Sequence, residues 1–266
     1  MPATSPIINI MIRAAEKAAR SLVRDFGEVE QLQISRKGPG DFVTNADKRS
    51  EKIIFEELQK ARPSYSFLME ESGQIEGDDK DHVWIIDPLD GTHNFMHGIP
   101  YWNISIALEK NGEIQAGIVY EPIRNEMFHA EKGTGAFIAG NKRLRVSGRS
   151  EFDICCFCSG HPFKDGRYRP GYLQEIEAVA QQSPMIRRTG AAALDLCYVA
   201  AGRFDGFWER GLQPWDVAAA GLIVKEAGGI ITSIDNNDNP VYSRNLVAGN
   251  GNVHGQLRQI IKKAAA

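Results

Sequence analysis

WIIDPLDGTHNF, from Trp84 to Phe95, decides how the chain is read. Trp84, Ile85 and Ile86 make a short apolar run suited to a buried strand, and Asp87 follows at once. Pro88 sets a turn, Asp90 comes three positions after Asp87, and Gly91 and Thr92 offer backbone N–H groups with no bulky side chain in front of them. Acid, turn, acid and anion nest stand in a row. Taken singly, these letters also describe one Asp capping a turn and another capping a helix, so the rest of the chain has to choose.

Working outward, the apolar run Ser66 to Met69 ends on Glu70 and Glu71, just as Val83 to Ile86 ends on Asp87. Far downstream, PWDVAAAG supplies Asp216. If these acids converge, so many carboxylates in one low-dielectric cleft repel one another unless cations neutralise them. Oxygen ligands without His or Cys select hard ions, and Mg²⁺ is the common one that keeps water positions open for a substrate. An Mg²⁺ cleft beside an N–H nest suits a phosphate ester.

Around this centre the chain alternates helices and strands. Ile7, Met11, Ala14, Ala15, Ala18 and Leu22 recur at helical spacing behind Ser5 as N-cap and Pro6 as first helical residue. A second helix is predicted from Thr44 to Ala61, with Pro63 as its stop. Asn103 to Phe137 reads as strands separated by Asn-Gly and Pro-Ile-Arg-Asn turns. Beyond Ser147 the spacing predicts strands at Ile154 to Cys158, Phe204 to Glu209, Gly229 to Ile234 and Leu246 to Ala248. Helices are expected near Gly171 to Gln182, at Ala191 to Ala201, from Pro214 to Ala227 and at the C-terminus. The polar turn near Arg145 to Glu151 divides an N-terminal α+β half, 1–147, from a C-terminal α/β half, 148–266, the two sharing one cleft.

Composition bounds the function. The 266 residues are 42% hydrophobic and 24% charged, which excludes a disordered chain and leaves room for a large core. Thirty-one Lys and Arg against 34 Asp and Glu leave a formal charge of −3, so no global basic field attracts nucleic acid or anionic lipid. An anionic substrate must be held by local charge. Cys155, Cys156, Cys158 and Cys197 do not form the spread framework of a small secreted protein, Arg13, Glu16 and Lys17 interrupt any signal-like apolar block, and no run approaches the ~18 apolar residues of a membrane span. A soluble cytoplasmic protein is expected. Cys155, Cys158 and His161 spell CxxCxxH, but with three local soft ligands a core role outweighs zinc, Ile154, Cys156 and Cys158 sharing one strand face. His93 and His97 fall near the cleft, His82, His129 and His254 read as structural or solvated, and Tyr101, Trp102, Phe207 and Trp208 as core.

Four segments together carry a likeness. DFVTNAD at Asp41 to Asp47, MEES at Met69 to Ser72, IIDPLDGTHNF at Ile85 to Phe95 and WDVAAAGLIVKEAGG at Trp215 to Gly229 resemble the signatures of the inositol monophosphatase family in order and approximate spacing. The resemblance spans nearly the whole chain. It implies a layered αβαβα sandwich of α+β class, usually a homodimer, that hydrolyses a phosphate monoester with two or three Mg²⁺ ions and is sensitive to lithium. It further implies that Glu70, Asp87 and the Leu89 carbonyl bind one ion and Asp87, Asp90 and Asp216 another, Asp87 bridging. Thr92 and Glu70 would hold the attacking water, Asp47 would support Thr92, and Glu71 would stand behind the ligands. Gly91 and Thr92 N–H groups would grip the phosphate, while Glu209, Ala192 and Asp90 would touch the hydroxylated part of the substrate. The family's usual Gly before the paired glutamates is Met69 here, its usual second Thr is His93, and Arg36, with Lys37 beside it, matches its basic upstream residue. Inositol 1-phosphate is the leading substrate. Histidinol phosphate, fructose 1,6-bisphosphate and 3′-phosphoadenosine 5′-phosphate share the chemistry, and a regulatory role beside the transcription or translation machinery is the alternative of another class.

Overall fold

A computed structural model describes residues 5–28, 34–38, 41–138, 142–162, 169–235 and 239–264. Helix α1 (Pro6–Phe26) starts where Ser5 Oγ accepts the Ile8 N–H at 3.3 Å, and it buries the predicted stripe from Ile8 to Leu22. Strands β1 (Ile34–Gly38) and β2 (Asp41–Thr44) form an antiparallel pair that leads into α2 (Asn45–Ala61). Thr44 is the cap of that helix rather than its first residue. Its hydroxyl accepts the Ala46 and Asp47 N–H groups while Asp47 accepts the Thr44 N–H, a reciprocal capping box.

Eight strands then make the larger sheet: β3 (Tyr65–Met69), β4 (Gly73–Ile75), β5 (Asp79–Asp90), β6 (Asn103–Lys110), β7 (Glu113–Glu121), β8 (Glu126–Glu131), β9 (Gly135–Ile138) and β10 (Lys142–Arg143). The order across it is β10-β9-β8-β7-β6-β5-β3-β4, with β3 and β5 parallel and the other neighbours antiparallel. A short helix, α3 (Thr92–Met96), leaves the end of β5. The second sheet has five strands in the order β12-β11-β13-β15-β14, namely β11 (Cys156–Ser159), β12 (Met185–Arg187), β13 (Gly206–Arg210), β14 (Ile230–Ser233) and β15 (Asn245–Gly249). Its helices are α4 (Arg169–Ala180), α5 (Ala192–Ala200), α6 (Pro214–Glu226) and α7 (His254–Ala264).

The layers follow from which faces are apolar. Trp84, Ile86, Ile104, Ile106 and Leu108 point from the larger sheet into a core with α1 and α2. Their alternates Ile85, Ala107 and Val119 point the other way, into a core with α5 and α6. Because both faces are covered, β6 is buried from Asn103 to Glu109 and shows no polar alternation. The inner face of the smaller sheet, with Cys158, Phe207, Leu246 and Ala248, closes over α5 and α6, and its outer face, with Phe157, Trp208 and Val247, packs beneath α7. The result is the expected α, β, α, β, α sandwich.

Two local expectations are corrected. The turn at Pro88 is a bulge inside β5, which runs on to Asp90: Asp87 pairs with Ser105 and Asp90 with Asn103, one residue extra on the β5 side. Proline lacks the N–H a regular ladder needs, and a bulge is where a strand tolerates that. The strand predicted from Ile154 starts only at Cys156, because Phe152–Ile154 form a 3₁₀ turn. Ile154 is therefore exposed and does not share a face with Cys156 and Cys158.

Candidate active site

Alternation along β5 aims the first acid. Asp87 has the parity of Ile85, so its carboxylate faces the layer that holds α6, and there Asp216 sits in the first turn. Helix α6 reaches the sheet because the sequence AAAG keeps its contact surface thin. A Cβ built on Gly117 of β7 would lie 2.7 Å from Ala219 Cα, so helix and strand backbones nearly touch. Gln213 and Asp216 form a second capping box, the Gln213 N–H reaching Asp216 Oδ2 at 2.7 Å. Among the described residues, Asp87, Asp90 and Asp216 are the one set of three His, Cys, Asp or Glu side chains whose ligand atoms converge, all within 4.8 Å of one another.

In each of the three, a backbone N–H anchors one carboxylate oxygen and fixes its plane. Leu89 N–H donates to Asp87 Oδ1 at 2.9 Å and Ala193 N–H to Asp90 Oδ2 at 2.9 Å, where Asn103 Nδ2 adds a bond at 2.8 Å. Electrostatics then disfavour the charged forms. Burial, followed by the facing charges of Glu70, Asp90 and Asp216, holds the Asp87 carboxyl well above the ordinary carboxylate range. Burial also pushes Asp90 up to about 7, against the lowering effect of its bonds from Asn103 and Ala193. A cation reverses both effects, and an all-oxygen donor set of this kind fits a hard divalent ion. Asp87, Asp90, Asp216 and Glu70 could hold it.

Helix α2 braces the acid-bearing turns from one face. Residues 47, 50 and 51 follow helical i, i+3, i+4 spacing and all three are buried. Asp47 Oδ1 accepts the Thr92 hydroxyl at 3.1 Å, while Asp47 Oδ2 takes the Thr44 N–H at 2.9 Å and the Thr44 hydroxyl. Ser50 donates to the Pro88 carbonyl at 2.8 Å. Glu51 accepts the Glu71 N–H at 2.8 Å and the Ser72 hydroxyl. Of these, the sequence reading missed Ser50 and Glu51. The signal was present, since two polar groups lie on the same helix side as Ile54 and Leu58. Asn103 was missed as well, hidden at the start of an apolar strand.

A cavity of about 460 Å³ opens over the acids. Glu70, Asp87, Leu89, Asp90, Gly91, Thr92, Ala192, Glu209 and Asp216 all line it, as do His93 and His97. Asp47 and Glu71 are not among the residues that line it. Gly91 has φ +92°, a conformation that favours glycine, and a Cβ there would press on the Tyr101 carbonyl at 3.1 Å. It caps α3, whose first-turn N–H groups have no partner within the helix. The Leu89 carbonyl accepts the Thr92 hydroxyl at 3.1 Å. Glu209 is half-buried, and burial, then Asp216, Asp195 and Asp90, hold its carboxyl well above the usual range while Arg188 pulls it back. Arg188, at the rim, had no sequence signal beyond its charge.

Apart from His161, the discounted histidines and the four cysteines are absent from the cavity lining. The four cysteines are free; Cys155, Cys158 and Cys197 are buried, and His161 stands edge-on to Tyr172 at the cavity instead of joining them. His82 stacks on Tyr65, His129 on Phe137, and His254 bonds Thr232, all structural. Tyr101 donates to buried Asp195 at 2.6 Å. Arg36 and Lys37 lie on β1, but their side chains are outside the described residues. No helix among the described residues is long and apolar enough to cross a membrane.

Comparison with known proteins agrees with this geometry. The chain is 52% identical over 256 residues to an inositol-1-monophosphatase of Caulobacter vibrioides, covering 96% of this chain and all of that one. It is 44% identical over 248 residues to the Nus factor SuhB of Escherichia coli K12, covering 93% of this chain and 92% of that one. The crystal structure of extragenic suppressor protein suhB from Bartonella henselae superposes with a TM-score of 0.94 at 51% identity, over 97% of this chain and 99% of that one. The family model described as inositol monophosphatase family matches residues 3–266. Fold, site geometry and full-length similarity together place the chain in the inositol monophosphatase family, a family of phosphoric monoester hydrolases.

Proposed function

We propose that the acidic cavity binds two or three Mg²⁺ ions and hydrolyses a phosphate monoester, with inositol 1-phosphate the leading substrate. The observation that carries this reading is the convergence of Asp87, Asp90 and Asp216, from two distant stretches of chain, within 4.8 Å beside the Gly91–Thr92 turn. Glu70, Asp87 and the Leu89 carbonyl would hold one ion, and Asp87, Asp90 and Asp216 another. Such ions would supply charge neutralisation for the phosphoryl oxygens and the leaving alkoxide and would acidify water.

The chain's own residues do the rest. Thr92 donates its one hydroxyl proton toward Asp47 or Leu89, which leaves its oxygen lone pairs to accept from the attacking water, and Glu70 orients the same water from the other side. Gly91 and Thr92 N–H groups hold the phosphate where charge develops, so positioning and electrostatics supply most of the rate and no protein nucleophile is needed. Glu209, Ala192 and Asp90 face the alcohol, and Glu71 supports the Glu70 turn. Phosphate release from a panel of inositol 1-phosphate, histidinol phosphate, fructose 1,6-bisphosphate and 3′-phosphoadenosine 5′-phosphate, with Mg²⁺, with chelator and with Li⁺ added, tests the reading. Mg²⁺-dependent, Li⁺-inhibited release favouring inositol 1-phosphate is expected. Equal release after chelation would overturn the metal role.

A second role rests on the 44% identity to a protein named Nus factor SuhB. We propose a cytoplasmic homodimer that also associates with the transcription or translation machinery through protein contacts, without binding nucleic acid or membrane. In cells lacking the protein, full rescue by Asp87→Asn would favour that role, and loss of rescue the enzyme.

A further inference from the structure

Strands β11 and β13 run parallel, with Phe157 beside Gly206, Cys158 beside Phe207 and Ser159 beside Trp208. Carrying that register one step further puts Gly160 beside Glu209, on the face where Cys158 and Phe207 enter the central core. Gly160 carries no side chain to fill its place on that face. A Cβ built on it would lie 2.0 Å from Glu209 Cδ, 2.0 Å from Oε2 and 2.1 Å from Oε1, and those are its three nearest neighbours. The carboxylate of Glu209 thus occupies the space a side chain at position 160 would take. On the opposite side Glu209 pairs with fully buried Leu246, which closes off that direction.

This clash differs from that of most crowded glycines in the chain. Gly160 is absent from the positions with φ > 0, so its backbone accepts alanine without strain. Its obstacle is the far end of a flexible side chain rather than backbone. An added methyl therefore has an outlet: the fold stays, and the Glu209 carboxylate moves off its seat. Both residues line the cavity and belong to the smaller-sheet side of the molecule, Glu209 on β13 and Gly160 just after β11.

We infer that Gly160 is a specificity-determining position, whose missing side chain seats the Glu209 carboxylate at the orientation that selects a polyhydroxylated leaving group. The inference rests on the proposed phosphatase reading and deepens it. A misplaced acceptor loses its bond to a substrate hydroxyl while the metal ligands and the water-holding pair stay in place, so discrimination falls more than turnover.

The test is a double-mutant cycle on Gly160→Ala and Glu209→Ala, each assayed with Mg²⁺ on inositol 1-phosphate and on 4-nitrophenyl phosphate, which has no alcohol hydroxyls. The measured quantity is the ratio of kcat/KM for the two substrates. Gly160→Ala is expected to lower that ratio about tenfold, mainly through KM for the inositol ester, and to lower it no further when Glu209→Ala is already present. A wild-type ratio in Gly160→Ala, or additive losses in the double variant, would overturn the inference. If Gly160→Ala fails to fold, a folded double variant supports the seat, and an unfolded one shows that the methyl meets something besides Glu209 and overturns it. Wild-type protein that releases no phosphate from either ester in Mg²⁺ would instead defeat the phosphatase reading itself, and that arm is read before the variants.

Discussion

Asp87 is the residue on which the proposed chemistry turns. It is 2% exposed, touches the fields of three other acids and has its own plane fixed by Leu89 N–H. Asp87→Asn keeps the shape and the anchoring bond but removes the charge, so Mg²⁺-dependent phosphate release should fall at least ~1000-fold while the far-ultraviolet circular dichroism stays unchanged. Release within tenfold of wild type would remove the bridging role. Glu51 is the residue that sequence reading overlooked. Glu51→Ala leaves the Glu71 N–H and Ser72 hydroxyl without their acceptor, which should cost about 1–3 kcal/mol in urea unfolding and about 10- to 100-fold in activity. The acids at strand ends were legible because a carboxylate following a buried apolar run has no ordinary reason to be there. Ser50 and Glu51 showed only as polar groups on an apolar helix side and Asn103 not at all, since their partners, the Pro88 carbonyl, the Glu71 N–H, the Ser72 hydroxyl and Asp90, come near only on folding.

At the scale of elements, the precision of the site depends on how closely α6 approaches the larger sheet. Gly117 and Ala219 are the contact, and backbone lies on both sides of it. Gly117→Ala has no flexible outlet, so it should push α6 outward, lower stability by about 1–3 kcal/mol and weaken Mg²⁺ activation by displacing Asp216. Unchanged Mg²⁺ half-saturation in a measurably destabilised variant would show that Asp216 does not follow the helix. Helices and strands were readable where periodicity was strong, as in α1, whose cap and stripe both agree. Boundaries were less so. Pro88 marks an interruption but not whether it is a turn or a bulge, which the pairing of β5 with β6 decides, and the 3₁₀ turn at Phe152, whose ring packs against Phe157, has no local signal.

At the scale of the whole molecule, the buried acids make stability depend on pH and on cation together. The Asp90 carboxyl is raised from 3.8 to about 7 and that of Asp87 is raised as well, so between these limits the native state binds more protons than the unfolded one. Stability from this source is fully present below about pH 3.8 and is lost as pH rises through about 7. Metal-free protein should therefore melt at a lower temperature at pH 8 than at pH 6. Saturating Mg²⁺ should flatten that fall and add about 2.7 kcal/mol at a hundred times its Kd. A metal-free melting temperature that climbs from pH 6 to pH 8 would contradict the sign. Further out, Asp216 belongs to a helix packed between the two sheets, and it is translated long after Glu70, Asp87 and Asp90. On the proposed ligand set, a nascent chain still short of Pro214 carries Glu70, Asp87 and Asp90 but lacks the group that completes their cage. On that ligand set, loading of the ion shared by Asp87, Asp90 and Asp216 would wait for α6, and a polypeptide ending before it would keep the repulsion between Asp87 and Asp90 without that remedy.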